Sequence, residues 1–542
     1  MGGIYTFRKG LSHYEESRAS VAFQNGIIQK IYQLNGREEN LAEIKKDFGD
    51  DVLVVRLDDN CHVFPGLVDL HNHIDYNMMP IWRRPIREPW DNRHEWRHSN
   101  CFEYNREIKE FYRFIFNNWP RKIGRSKDVY SLLQFFSELQ AVAGGTTVLQ
   151  EPADISDPGG SYSASHLLLR STGVSEDLGL QAHQKVNSII DFFKPVLDKE
   201  KTFYPPLNTG NWELMEVVNK ESGKTYFQEY LELLQKPVDE IQQTTGGYLV
   251  HLAEGRAGHL LENKGMDAYS KKEFEYLKNR IKQIPDYAKK VAASRLTLIH
   301  GCGIDLENPE NVAFINNCNI RVVWSPVSNL LLYDDTPKYI SSSINPELIC
   351  IGSDWAPSGS KHVWDECAFA EKFALKHIFK GRIPSNIHDA FLEMMSFNPA
   401  QALNSKMIGE IKVGKFADFY IVSKNRKVPS QFETISNIFM FSDYHSVGTI
   451  INGNLVFGVK ELFSKFGQSG VSIAADGKNA ENLMVHVPHE LNIHFRRDLS
   501  MLDGLFLEYS KMIGKQFIRS RFLSSNDVPY TVQISDLARK FC

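Results

Sequence analysis

The side chains best suited to bind a cation or move a proton fall at four places: His71-Asn72-His73, His251 with Glu254 three residues on, His300, and Asp354. Each follows a short apolar run: Gly66-Leu67-Val68-Asp69-Leu70, Gly247-Tyr248-Leu249-Val250, Leu296-Thr297-Leu298-Ile299 and Leu348-Ile349-Cys350-Ile351. On an extended chain positions i and i+2 point the same way, so His71 and His73 can chelate one ion together. Imidazole nitrogen and carboxylate oxygen suit zinc and iron alike. A single histidine beside a buried strand is ordinarily a hydrogen-bonded core residue. The weight lies in the recurrence, because such donors can form one site only if their strand ends share a face.

That requirement constrains the scaffold. The four runs, with Thr146-Thr147-Val148-Leu149 and Ile320-Arg321-Val322-Val323, read as parallel strands buried on both faces. Helical patterns at 128–143, 226–242 and 271–293 lie between them. Repeated β-then-α over 64–405 predicts an α/β fold, a (β/α)8 TIM barrel whose C-terminal strand ends converge. Residues 1–63 read instead as short strands, with Ser20–Phe23 and Ile27–Ile31 joined by an Asn25-Gly26 turn. The same texture returns in 406–460, where Asn452-Gly453-Asn454 turns the chain between Gly448–Ile451 and Leu455–Phe457. Both segments are expected to build one small β-sandwich domain from the two chain ends. Residues 76–127 interrupt the first βα connection, and 461–542 form a C-terminal extension of unassigned role, packing or an oligomer contact, with a helical pattern near 498–515.

Bulk properties remove several classes. A chain of 542 residues predicts two or three domains, and 42% hydrophobic with 24% charged residues is ordinary for a globular protein. A net charge of -4 gives no reason to expect nucleic acid or an anionic membrane as partner. No apolar run reaches the length of a membrane span, and the first residues lack the apolar stretch of a signal peptide. Gly2 and Thr6 meet a loose myristoylation pattern that is often met by accident. Seven scattered cysteines without a C-x-x-C pair fit a reducing cytoplasm. The expected partners are a small-molecule substrate and further copies of the chain in a homo-oligomer.

The stretch Pro65-Gly66-Leu67-Val68-Asp69-Leu70-His71-Asn72-His73 resembles the amidohydrolase superfamily. Asn398-Pro399-Ala400 and the run Gly409–Asp418 agree with its closing motifs, so the resemblance covers roughly 1–460. Within the superfamily, His251-x-x-Glu254 resembles the branch of nucleobase, pterin and triazine deaminases and hydrolases. The resemblance implies one divalent metal ion, Zn or Fe(II), held by His71, His73, His251 and Asp354. It further implies Glu254 as proton shuttle, Asp354 as acceptor of the water proton and His300 as partner of the developing oxyanion. The expected reaction is metal-dependent hydrolysis of a non-peptide C–N bond, with deamination of a nitrogen heterocycle ahead of amide hydrolysis. A binuclear variant would need a carboxylated lysine, for which Lys185 and Lys194 lie in the right region. A non-catalytic scaffold on the same fold has no use for the full donor set.

Substrate contacts are less legible. Trp82, Trp90, Arg93 and Trp96 in the insertion, Glu151 after the second strand, Asn329 in Ser325-Pro326-Val327-Ser328-Asn329, and Ser358 with Ser360 are the candidates. Plain packing explains each about as well. Trp324 stands where members of that branch often carry His, which weakens the expectation of substrate contacts from its strand. His94-Glu95-Trp96-Arg97-His98 matches the zinc-peptidase pattern H-E-x-x-H, but its Pro89-Trp90-Asp91-Asn92 approach is turn-like rather than helical. Cytidine deaminases of the other zinc fold need a P-C-x-x-C motif that this chain lacks. Gly144-Gly145-Thr146-Thr147 lacks the lysine of a phosphate loop and reads as the turn into the second strand.

Overall fold

A computed structural model of the chain describes residues 3–7, 14–33, 41–77, 89–96, 104–118, 126–150, 166–189, 218–241, 247–260, 265–380, 387–424, 444–472, 483–487 and 501–512, apart from single positions within some runs. Four strands open the chain: β1 (Gly3–Phe7), β2 (Tyr14–Gln24), β3 (Ile27–Gln33) and β4 (Cys61–Pro65). Eight short strands follow: β5 (Leu67–Asp69), β6 (Thr146–Leu149), β7 (Arg170–Ser171), β8 (Asn187–Ile189), β9 (Tyr248–Leu252), β10 (Leu296–His300), β11 (Arg321–Trp324) and β12 (Ile349–Ile351). β5, β6 and β7 form one sheet and β8 to β12 another, each with neighbours in chain order and every pair parallel. Just past β5 and β12 the two sheets touch: a parallel bridge joins Asn72 to Asp354, and Asp354 N–H donates to His71 O at 2.8 Å. Among the described residues no ladder joins β7 to β8.

Alternation along these strands divides their side chains between two cores. Val68, Val148, Leu249, Ile299, Val323 and Cys350 pack in one cluster. Leu67, Tyr248, Val250, Leu298, Val322 and Ile351 face the opposite way, into a larger core with helical residues such as Phe274, Leu277 and Phe373. Burial on both faces is why these runs read as continuously apolar. β7 and β8 escaped the sequence reading because two or three residues containing Arg, Ser and Asn carry no such signal.

Two predicted helices are each broken in two. The 226–242 pattern forms Tyr226–Leu233 and Gln235–Ile241, with Pro237 in the first turn of the second, where its missing N–H does no harm. The 271–293 pattern forms Ala268–Ile281 and Tyr287–Ser294. Pro285 follows the first of these, and Asp286 turns the chain at φ 55°. The 128–143 pattern is one helix, Ser126–Ala143. Near 498–515 the described positions between 501 and 512 are helical.

The chain ends share a nine-stranded sheet. It contains β1 to β4, then β13 (Phe419–Lys424), β14 (Tyr444–Ile451), β15 (Asn454–Val459), β16 (Val471–Ser472) and β17 (Leu483–Val485), in the order β16-β17-β15-β14-β13-β4-β1-β2-β3. β16 and β17 carry the sheet beyond residue 460, into the segment expected to be a separate extension. The sheet is tied to the parallel strands by Arg170 on β7, whose Nε and Nη2 donate to the two carboxylate oxygens of Asp418 at 2.7 and 3.1 Å. Among the described residues no helix is long and apolar enough to cross a membrane.

Candidate metal centre

Four histidines and two carboxylates meet at the C-terminal ends of β5, β9, β10 and β12. The ring of His71 lies 5.0 Å from those of His73 and His251 and 5.1 Å from that of His300. Two overlapping sets have all their ligand atoms within 4.8 Å of one another: His71, His251 and His300, and His71, His73 and Asp354. Asp354 Oδ1 is 2.7 Å from His71 Nε2 and 3.8 Å from His73 Nε2, while its Oδ2 is 3.8 Å from His300 Nε2. His300 thus approaches as closely as the four residues expected to be ligands, and His71 belongs to both sets.

Backbone conformation aims two of these groups. Along β10, Leu296, Leu298 and His300 alternate with Thr297 and Ile299, which would leave His300 on the helix-facing side. His300 adopts φ 68° and Asp354 φ 62°. This left-handed backbone costs a non-glycine residue about 1–2 kcal/mol and breaks the alternation. The cost is local, and the return is a ring placed 3.6 Å from the Glu254 carboxylate.

Behind His71 stands a buried support. Its Nδ1 lies 3.3 Å from Oε1 of Gln150, an oxygen that can only accept, so Nδ1 carries the hydrogen and Nε2 faces the cluster. The same Gln150 oxygen accepts from Asn72 N–H at 3.1 Å. His166 reaches the Gln150 carbonyl at 2.8 Å and Glu138 at 3.0 Å. Asp69 is buried and accepts from the Ser353 hydroxyl and, at 3.3 Å, from His71 N–H. Burial pushes its carboxyl up to about 6.

The electrostatics suit a cation. Burial, then the Arg93 charge, holds His251 well below the usual imidazole range. Burial also lowers His300, with Glu254 and Asp354 opposing it. Both rings are therefore neutral at neutral pH, each with one nitrogen that carries hydrogen and one that carries a lone pair. At Asp354 burial acts upward but His300 and His71 outweigh it, keeping the carboxylate ionised. Nε2 of His300 is buried and makes no hydrogen bond among the described residues, although carboxylates lie just beyond reach. His71, His73 and His251 as nitrogen donors and Asp354 as an ionised oxygen donor make a set that fits zinc or iron, and they leave His300 Nε2 to meet a further polar group.

Glu254 lies beside the cluster, its Oε2 at 3.0 Å from His251 Nε2 and 3.7 Å from Arg93 Nε. The insertion brings Arg93 here. Asn92 bridges Gly255, Arg93 N–H donates to Glu254 O at 3.2 Å, and Arg256 N–H donates to Asp91 O at 2.7 Å. Trp90 is half-buried and donates its backbone N–H to Leu332 O, while the ring of Trp96 stacks on Trp355 at 5.5 Å. Asn329, Ser358 and Ser360 bond to protein groups, namely Thr336 at 3.3 Å, Ser328 at 2.8 Å and Glu366 at 2.5 Å. The Trp324 indole is buried and donates to Thr336 at 2.8 Å. Trp82, Glu151, Lys185, Lys194 and His98 lie outside the described residues. The helix carrying Glu95 is four residues long, and Glu95 accepts from Asp91 N–H at 2.6 Å, a cap rather than a peptidase centre. Sequence reasoning missed Tyr333, which bonds to Glu254, and Gln150. A tyrosine inside an apolar helix and a glutamine after a strand carry no signal of their own.

The sequence profile of the amidohydrolase family matches residues 254–456, a segment holding Glu254, His300 and Asp354. Among solved structures, a triazine hydrolase variant is 14% identical and aligns over 93% of this chain and 97% of its own, with a TM-score of 0.50. A mutant atrazine chlorohydrolase from Arthrobacter aurescens TC1, complexed with zinc and atraton, is also 14% identical, with coverage of 93% and 100% and a TM-score of 0.50. No curated protein matches the chain by sequence. The resemblance to amidohydrolases is borne out, and with it the class of enzyme, hydrolases of carbon–nitrogen bonds other than peptide bonds. At this identity the structural likeness speaks for the fold.

Proposed function

We propose that the eight parallel strands close as a (β/α)8 barrel and that the chain is a hydrolase using one divalent ion, Zn or Fe(II), to deaminate a nitrogen heterocycle. The observation that carries this reading is the convergence of His71, His73, His251, His300 and Asp354 within one buried cluster, with Glu254 at its edge. His71, His73, His251 and Asp354 would hold the ion. When bound, the ion supplies Lewis acidity and makes water nucleophilic at neutral pH.

The chain's own groups then divide the proton work. Asp354, ionised within the cluster, takes a proton at Oδ2, the oxygen nearer His300. His300 faces the oxyanion that develops at the attacked carbon and stabilises it by hydrogen bond. Glu254 carries a proton through Oε2 to the leaving nitrogen, and its burial excludes competing water. Protein loaded with Zn or Fe(II) is expected to release ammonia from at least one member of a panel of purines, pyrimidines, pterins and triazines. Amine release from an acyl amide instead would move the reading to amide hydrolysis. Stoichiometric metal without either activity would overturn it.

A further inference from the structure

The two oxygens of Glu254 have different neighbours. Tyr333 donates its hydroxyl hydrogen to Oε1 at 2.6 Å, and Trp96 Nε1 donates to the Tyr333 oxygen at 3.2 Å. The direction of this chain is fixed, because an indole N–H can only donate and so commits the phenol hydrogen to the carboxylate. Tyr333 is 0% exposed and Trp96 6%, so water does not compete for either group. Burial, then the Glu254 charge, pushes the phenol well above its ordinary range, which keeps it a donor. Oε2 faces the other way, toward Nε2 of His251 at 3.0 Å and of His300 at 3.6 Å.

We propose that Tyr333, backed by Trp96 of the insertion, is a positioning residue that ties down Oε1 of Glu254 and so presents Oε2 as the oxygen that exchanges protons. This rests on the reading of Glu254 as proton carrier. A carboxylate on two rotatable bonds can offer either oxygen, and a donor on one removes that ambiguity before substrate arrives. The insertion thus reaches the chemistry through orientation. Its segment 91–96 is latched to the chain after β9 by the Asn92–Gly255 bridge, and its last residue supplies the indole behind Tyr333.

The test uses Tyr333→Phe, which keeps the buried ring and removes only the hydroxyl, with Trp96→Phe as a second variant should the first fold poorly. The infrared difference between the protein and its Glu254→Gln variant isolates the Glu254 carboxylate band without substrate. That band is expected to shift in Tyr333→Phe and, less, in Trp96→Phe; an unmoved band in both overturns the proposal. With the best ring substrate of the ammonia panel, Tyr333→Phe is expected to lower kcat about 10- to 100-fold with KM changed less than about threefold. On a Glu254→Gln background the same change should cost less than about twofold. An equal loss on both backgrounds would mean a merely structural tyrosine and overturn the proposal. If Glu254→Gln itself left kcat intact, the proton-carrier reading would fall, whereas a silent Tyr333→Phe beside a crippled Glu254→Gln would sink the positioning role alone.

Discussion

The hairpin turns of the outer sheet and the histidine–carboxylate cluster both use left-handed backbone at non-glycine residues, but they come by it differently. Asn25 at φ 52° and Asn452 at φ 54° each precede a glycine, Gly26 at 75° and Gly453 at 76°. A two-residue hairpin demands that pair of conformations, and Asn-Gly is the dipeptide that adopts it most readily. The turns also meet: a side chain on Gly26 would overlap Asn452, and one on Gly453 would press on Phe23. At His300 and Asp354 no hairpin demands φ of 68° and 62°. There the surrounding strands, the Asn72–Asp354 bridge and the carboxylates hold the conformation in place. One region is specified by neighbours in sequence, the other by neighbours in space.

If that contrast is right, damage should stay within each region. The largest effect is expected for His71→Ala, which removes the donor shared by both ligand sets. Activity should fall at least about 1000-fold, metal stoichiometry by elemental analysis should drop well below one, and the melting temperature should cease to respond to chelator. A variant that kept full metal would break the assignment of His71 as ligand. Next, Arg170→Met leaves the buried Asp418 carboxylate without its bidentate partner and should lower unfolding free energy by about 3 kcal/mol. Metal stoichiometry should survive that change, and its loss would show that sheet and cluster are not independent.

A smaller, pH-dependent effect is expected at Lys361, which follows Asp354 and donates to Asn77 O at 2.7 Å. Burial lowers its ammonium from 10.5 to about 7. Below pH 7 both folded and unfolded chains carry the proton, so the burial penalty is complete. Between pH 7 and 10.5 the unfolded chain binds more protons, and stability rises with pH. Lys361→Met should therefore stabilise by on the order of 2 kcal/mol below pH 7, with the gain vanishing near pH 10.5. Urea melts across that range would measure it, and a gain independent of pH would contradict the buried charge. The least effect belongs to Gly453→Ala, where left-handed backbone and the close Phe23 ring should cost about 1 kcal/mol in the same assay without touching metal binding.

Much of the fold was readable because its signals are local or repetitive. β6, β9, β10, β11 and β12 lie on the apolar runs, since strands covered on both faces leave no polar alternation to hide them. β7 and β8 were silent because they are too short to show a period. The residues the fold gathers at the cluster were named from spacing and strand-end position. Their support was not: Gln150 behind His71, and Tyr333 and Trp96 behind Glu254, act across 79, 79 and 237 positions of chain.

By itself, then, the sequence determined the strand and helix rhythm, the Asn-Gly turns and the donor types. Hydrophobic periodicity and φ preferences act over a few residues and leave their mark there. Only the tertiary structure decided that His300 breaks the alternation of its strand, that both ligand sets share His71, and that Tyr333 takes one oxygen of Glu254. Those choices balance backbone strain and buried charge against contacts from distant strands, and no local pattern records that balance.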